Sequence, residues 1–120
     1  MANSRSKTFH TRHQLYSLQH ATSALVIKAL LKASSDSVIK SICNIAVNIQ
    51  KGDVEISRKE KALFRKHRQL IQKLFDEWIS IKRKRQILVR AHHSGENLLI
   101  PILLNCAYKS FGTLDNLCAK

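Results

Sequence analysis

The sequence predicts an all-α fold: a small bundle of four to five helices with a flexible basic N-terminal arm. Three observations support this prediction. The 120 residues include only three Gly and one Pro, too few for a turn-rich β fold. They are 44% apolar, which suits a small core and is unlike a disordered polycation. Apolar residues also recur at steps of three and four, as on one face of a helix.

The predicted organisation is one domain with a tail at each end. Residues 1–14 are polar and basic, with little but Phe9 to pack, and form the predicted arm. Residues 15–112 form the predicted helical domain, and residues 113–120 form a short tail. The arm lacks the apolar stretch of a secretory signal. The longest apolar run, Leu98–Leu104, is far below the roughly 20 residues that span a bilayer. We therefore expect an intracellular protein, and the basic cluster Lys82–Arg85 suggests a nuclear location.

Two apolar helices are predicted in the first half of the domain. The first begins at Leu15, and its part from Ala24 to Leu31 is apolar on most faces, which predicts a largely buried helix. Ser34–Ser37 interrupts the pattern, because these side chains compete for backbone hydrogen bonds. The second helix runs from about Ser37 to Gln50. Gly52 is predicted to end it in the left-handed conformation.

Basic helices follow at residues 58–90. Ser57 and Glu60 have the spacing of a capping box, which predicts a helix beginning at Arg58 and about 30 Å long. Trp78 lies on the apolar seam of this helix, so we expect it in the core rather than on the surface as a base-stacking platform. Ser80 is predicted to cap a further short helix from Ile81 to Arg90.

The last predicted helix is apolar and begins at Leu98, with Pro101 tolerated in its first turn and Phe111-Gly112 at its end. Leu98–Tyr108 has two interpretations. We favour a helix that completes the core, because a helical domain of this size needs such a helix to cover the apolar faces of the others. The other interpretation is a segment that contacts a membrane or a partner protein.

The net charge of +13 is concentrated in the middle of the chain. Residues 58–90 hold twelve Lys and Arg with three acids, for a net charge of +9. An ordinary protein surface mixes both signs, so this excess predicts a polyanionic partner. We expect sequence-independent binding to the phosphates of DNA, with RNA as an open alternative. The predicted nucleic-acid contacts are the cations of this region: Arg58, Lys59, Lys61, Arg65, Lys66, Arg68, Lys73, Lys82, Arg83, Lys84, Arg85 and Arg90.

The sequence predicts no catalytic residue, metal site or cofactor. The six histidines do not pair with Cys, Asp or Glu at ligand spacing, and His92-His93 reads as part of a loop. Cys43, Cys106 and Cys118 have no metal-binding spacing and are expected to be reduced packing residues. Three glycines are too few for a phosphate-binding loop. We therefore expect a protein that is not an enzyme.

The order of these parts resembles a group of small basic proteins encoded by Polinton/Maverick elements and the related adintoviruses. These proteins are in turn similar at their C-terminal end to adenovirus core protein X, the mu precursor. The resemblance covers about 70 residues. The matching stretches are the apolar helix Ser37–Gly52, Ile56-Ser57 before the basic helix, the cluster Ile81–Val89, Gly95 and the end Leu98–Leu103. The resemblance implies a genome-associated protein of a virion or transposon that condenses DNA.

Two other functions stay open beside DNA condensation. One is a structural or interaction protein, such as a minor virion component whose apolar helices bind capsid or membrane. The other is a sequence-specific regulator, although no zinc finger, RNP signature or basic zipper is present. A homo-oligomer or a complex with a capsid protein is compatible with the same composition.

Overall fold

The computed structural model describes residues 4–52, 56–91 and 99–111, with side chains for residues 11–52, 56–91 and 99–108. All regular structure in these ranges is helical, which confirms the predicted fold class. The described ranges form seven helices rather than four to five. They are α1 (Ser4–Gln19), α2 (Ala24–Ala33), α3 (Asp36–Gln50), α4 (Arg58–Lys66), α5 (Arg68–Leu74), α6 (Ile81–Ala91) and α7 (Leu99–Phe111).

The larger number of helices arises because two of the predicted helices are each broken into two. The segment expected to continue from Leu15 to Leu31 ends at Gln19, and Ser23 caps a new helix by accepting a hydrogen bond from the Val26 N–H at 3.2 Å. The basic helix expected to be about 30 Å long breaks at His67, although neither Gly nor Pro is present there. Packing explains this second break, because α5 packs on α3 and α6, whereas α4 packs on α5.

The predicted flexible arm is mostly part of α1, which begins at Ser4. Thr11 is only 3% exposed, and the Gln14 side chain accepts a hydrogen bond from the Ser35 N–H at 3.1 Å. Once Leu15 and Leu18 are packed in the core, each helical residue added before them costs little, because helix growth is far easier than nucleation. Residues 1–3 and the predicted tail at residues 113–120 lie outside the described residues.

Helix α3 lies at the centre of the bundle and packs against α1, α5, α6 and α7. Its apolar stripe is buried, including Ile39, Ile42 and Ile45 with no exposed surface. Gly52 follows it with a φ of +81°, as the sequence predicts for a residue that ends a helix. Helix α7 packs against α1 and α3 through side chains that are buried: Leu99, Ile100, Leu103, Leu104, Cys106 and Ala107.

Helix α2 is less buried than the sequence predicts. Ile27 and Leu31 are fully buried, but Leu25 is 77% exposed and Val26 is also exposed. The helix packs on α1 and α6 and belongs to the outer layer of the bundle. The apolar pattern of α2 therefore predicts more burial than the structure shows, because a helix in the outer layer buries only the face that packs on its neighbours.

Two cysteines that form no disulfide, Cys43 and Cys106, are buried within the described part of the chain. Burial raises the pKa of the Cys43 thiol to about 11, and the charge of Lys84 opposes this rise. At pH 8 the thiolate fraction of Cys43 is therefore about 100-fold lower than that of an ordinary thiol with a pKa of 9.0.

We expect both thiols of a Cys118→Ser variant to be protected in the native protein. At pH 8, Ellman's reagent should react with Cys43 at least about 100-fold more slowly in the native state than in urea, since burial also restricts access. The reaction should accelerate as the pH rises toward the pKa of the thiol. Rapid labelling of a native thiol would contradict the described packing, and the urea-unfolded variant is the control.

Candidate nucleic-acid interface

A capping box fixes the start of the basic helix α4. The Ser57 N–H donates to Glu60 Oε1 at 2.7 Å, and the Glu60 N–H donates to Ser57 Oγ at 3.2 Å. These two bonds satisfy backbone donors that a helix start otherwise leaves unpaired, and such a cap contributes about 1 kcal/mol. The predicted cap is confirmed. It begins a helix on which Arg58, Lys59 and Lys61 are exposed.

The break between α4 and α5 forms the first basic groove, which we call the α4–α5 groove. Its volume is about 560 Å³. It brings together three of the predicted contacts, Arg65, Lys66 and Arg68, all of them exposed. His67, Gln69 and Leu70 complete its lining. The helix break thus turns a row of cations into a concave cationic site.

Burial and, to a smaller extent, a neighbouring charge shift the pKa of His67. Partial burial lowers the pKa of the His67 imidazole, and the nearby charge of Lys66 lowers it further. Both effects favour the neutral form of the imidazole. A phosphate bound in the α4–α5 groove would oppose the effect of Lys66 and favour the protonated form.

A second basic groove lies between α5 and α6, and we call it the α5–α6 groove. Its volume is about 360 Å³. Three exposed cations line it, Lys73 from α5 and Arg83 and Arg90 from α6. Its apolar lining consists of Leu70, Ile79, Ile87 and Ala91. Leu70 lines both grooves, so the two grooves adjoin at this residue.

Lys84 and Arg85, both predicted as nucleic-acid contacts, line neither groove, and the structure places both side chains in the packing of α6. Lys84 is only 8% exposed and acts electrostatically on Cys43. Arg85 Nη1 donates to the carbonyl oxygens of Leu31 and Ser34, each at 2.7 Å, and to Ser34 Oγ at 2.9 Å. Its Nη2 forms an ion pair with Asp36 at 2.7 Å.

The helical geometry explains this division of the basic cluster at residues 82–85. Side chains rotate by about 100° per residue around a helix, so four consecutive residues sweep nearly the whole circumference. Arg83 lines the α5–α6 groove, whereas Lys84 and Arg85 serve the packing of α6 on α3 and α2. Lys82 is exposed but lines neither groove, as is also true of Arg58, Lys59 and Lys61.

Trp78 lies on the surface, 94% exposed, and the prediction that it belongs to the core is wrong. Helix α5 ends at Leu74, so the apolar seam does not continue to residue 78. The Trp78 N–H donates to Asp76 Oδ1 at 2.9 Å in the turn before α6. Asp76 could have indicated this turn from the sequence, because aspartate side chains often accept a backbone hydrogen bond of this kind in turns.

Two other kinds of site are absent from the described part of the chain. No group of three or more His, Cys, Asp or Glu in these ranges could hold a metal ion. Within the same ranges, none of the helices has the length and apolar character needed to cross a membrane. His92 and His93, predicted to lie in a loop, are outside the described residues.

The fold and the two grooves define a small all-helical protein with a concave basic surface. Comparisons with protein-family models, curated proteins and solved structures found no match for this chain. The resemblance to the basic proteins of Polinton elements and adintoviruses accordingly stays a prediction.

Proposed function

We propose that the protein binds DNA without sequence preference, through phosphates held at the α4–α5 and α5–α6 grooves. One observation carries this proposal: the adjoining grooves are lined by six exposed cations, and among the described residues no Asp or Glu lines either groove. Concave surfaces of one charge sign concentrate ligands of the opposite sign. The six cations are Arg65, Lys66, Arg68, Lys73, Arg83 and Arg90.

The mechanism is neutralisation of phosphate charge with release of the condensed counterions. Each phosphate neutralised on a duplex contributes about 0.9 to the slope of log affinity against log salt concentration. Six contacts would therefore give a slope of about −5. The cationic lining supplies phosphate contacts rather than the base-edge contacts that read sequence. Neutralised DNA repels itself less, so the same surface supports condensation, in the nucleus or in a virion.

The alternative of capsid or membrane binding through Leu98–Tyr108 has less support from the fold. The large apolar side chains of this segment that would make such a contact, including Leu99, Ile100 and Leu103, are fully buried. Their release would expose the core between α7, α1 and α3. The basic grooves, in contrast, are open without any rearrangement.

The proposal is tested by binding to two duplexes of equal length and unrelated sequence between 50 and 200 mM salt. We expect equal affinities for both, and a fall of about 10³-fold across this salt range for six contacts. An RNA duplex of the same length decides between the two nucleic acids. An affinity that does not change with salt would overturn the proposal, and a large preference for one sequence would favour a regulator.

A further inference from the structure

Trp78 lies almost fully exposed in a hydrogen-bonded turn. The residue is 94% exposed, so it lacks the stabilisation that burial of a large aromatic side chain provides. The turn is held by the bond of the Trp78 N–H to Asp76 and by the Ile79 N–H, which donates to the Asp76 carbonyl at 3.2 Å. Ser80 then caps α6 by accepting from the Arg83 N–H at 3.2 Å. These hydrogen bonds define the backbone of the turn that carries the ring.

Trp78 is the chain neighbour of a residue that lines the α5–α6 groove. Ile79, the next residue along the chain, lines this groove with Lys73, Arg83 and Arg90. A cationic groove that follows the backbone, together with an aromatic ring for the bases, is the arrangement that binds single-stranded nucleic acid. The bases of a duplex are stacked on one another, so their faces are closed to a surface ring. Unpaired bases offer such a face.

The charges around Trp78 separate the two kinds of contact. Asp76 and Glu77, both exposed, precede the ring directly and repel phosphates there. Neither of these acids lines the α5–α6 groove, which presents Lys73, Arg83 and Arg90. A strand bound at this site would therefore keep its phosphates at the groove and turn a base toward the ring.

We propose that Trp78 stacks on an unpaired base of a single-stranded DNA segment whose phosphates occupy the α5–α6 groove. This inference rests on the proposed function, because it assigns a preferred form of nucleic acid to the same surface. The phosphate contacts supply salt-dependent affinity for any strand, and the ring adds affinity for strands with exposed bases.

The experiment uses the full chain and three DNA probes of equal length: a single strand, a single strand with abasic sites throughout, and a GC-rich duplex. Trp78 is the one tryptophan of the chain, so its fluorescence reports directly on the contact. We expect quenching by the single strand, and none by the abasic strand or the duplex when the protein is saturated with them.

Variants of Trp78 separate the contribution of the ring to affinity from the contribution of the cations. Trp78→Ala should weaken binding of the single strand by about 5- to 100-fold, and should leave the abasic strand and the salt slope unchanged. Trp78→Phe should retain most of the affinity, because it keeps an aromatic face. Tyr16→Ala removes another exposed aromatic ring from α1, a helix that packs on α2, α3 and α7, and it is expected to bind like the unmodified protein.

Failure of the stacking contact and failure of the proposed function give different results. Salt-dependent binding of all three probes, with unchanged fluorescence and equal affinities for Trp78→Ala and the unmodified protein, would overturn the stacking contact and leave the proposed function standing. Equal losses on the intact and abasic strands would also overturn it. Absence of binding to every probe would overturn both proposals.

Discussion

Replacement of Arg85 by alanine is expected to lower the free energy of unfolding by about 2–4 kcal/mol. Arg85 donates to two carbonyl oxygens at the end of α2, those of Leu31 and Ser34, and also pairs with Asp36. Its loss removes charge-assisted bonds from a partly buried helix end. Asp36 contributes little to this loss, because its side chain is 72% exposed and exposed ion pairs are weak. Urea denaturation followed by circular dichroism measures the change.

Arg83→Ala is the matched control for Arg85→Ala. It removes the same charge from the same helix, but Arg83 is exposed in the α5–α6 groove, so we expect a stability change within about 0.5 kcal/mol. Arg85→Lys should recover only part of the stability. One ammonium group cannot bond the carbonyl oxygens at the end of α2 and the Asp36 carboxylate at the start of α3 at the same time, as the guanidinium does. Equal stabilities of the two alanine variants would show that Arg85 does not hold the end of α2.

Removal of the three cations of the α5–α6 groove is expected to give the largest loss of DNA affinity. In a triple variant, Lys73→Gln, Arg83→Gln and Arg90→Gln, the slope of log affinity against log salt should be shallower by about 2.7. At 0.1 M salt the affinity for a duplex should fall by about 100-fold. Fluorescence anisotropy of a labelled duplex across a salt series measures both quantities.

A second triple variant controls for net charge. Lys32→Gln, Lys40→Gln and Lys51→Gln also remove three exposed cations, but none of these residues lines either groove. We expect a small loss of affinity from the weaker overall field and a nearly unchanged slope. If both triple variants lose affinity equally, the grooves are not the binding surface and the protein binds DNA by net charge alone.

Several features of the fold were predictable because they depend on interactions between residues close in sequence. The capping box of Ser57 and Glu60 and the left-handed Gly52 act through the backbone of a few neighbouring residues, so the sequence itself specifies them. The helix starting after Ser80 is predictable for the same reason. The all-helical class follows from the spacing of apolar residues and the scarcity of Gly and Pro.

The candidate site was predictable only in part. The concentration of cations in residues 58–90 identified the region, and six of the twelve predicted contacts line the two grooves. The sequence could not show that His67 breaks the helix, because no residue there is a helix breaker and the break comes from packing. It also could not show that Lys84 and Arg85 serve the interior.

The sequence by itself determined the class of fold, the capped start of the basic region and the sign of the charge that a partner must carry. These properties depend on composition and on contacts between near neighbours. Only the tertiary structure decided which cations meet at the grooves and that Trp78 is exposed, because both depend on how α5 and α6 pack on α3. The direction of a side chain on a short helix is set by the helices around it, and those helices are distant in sequence.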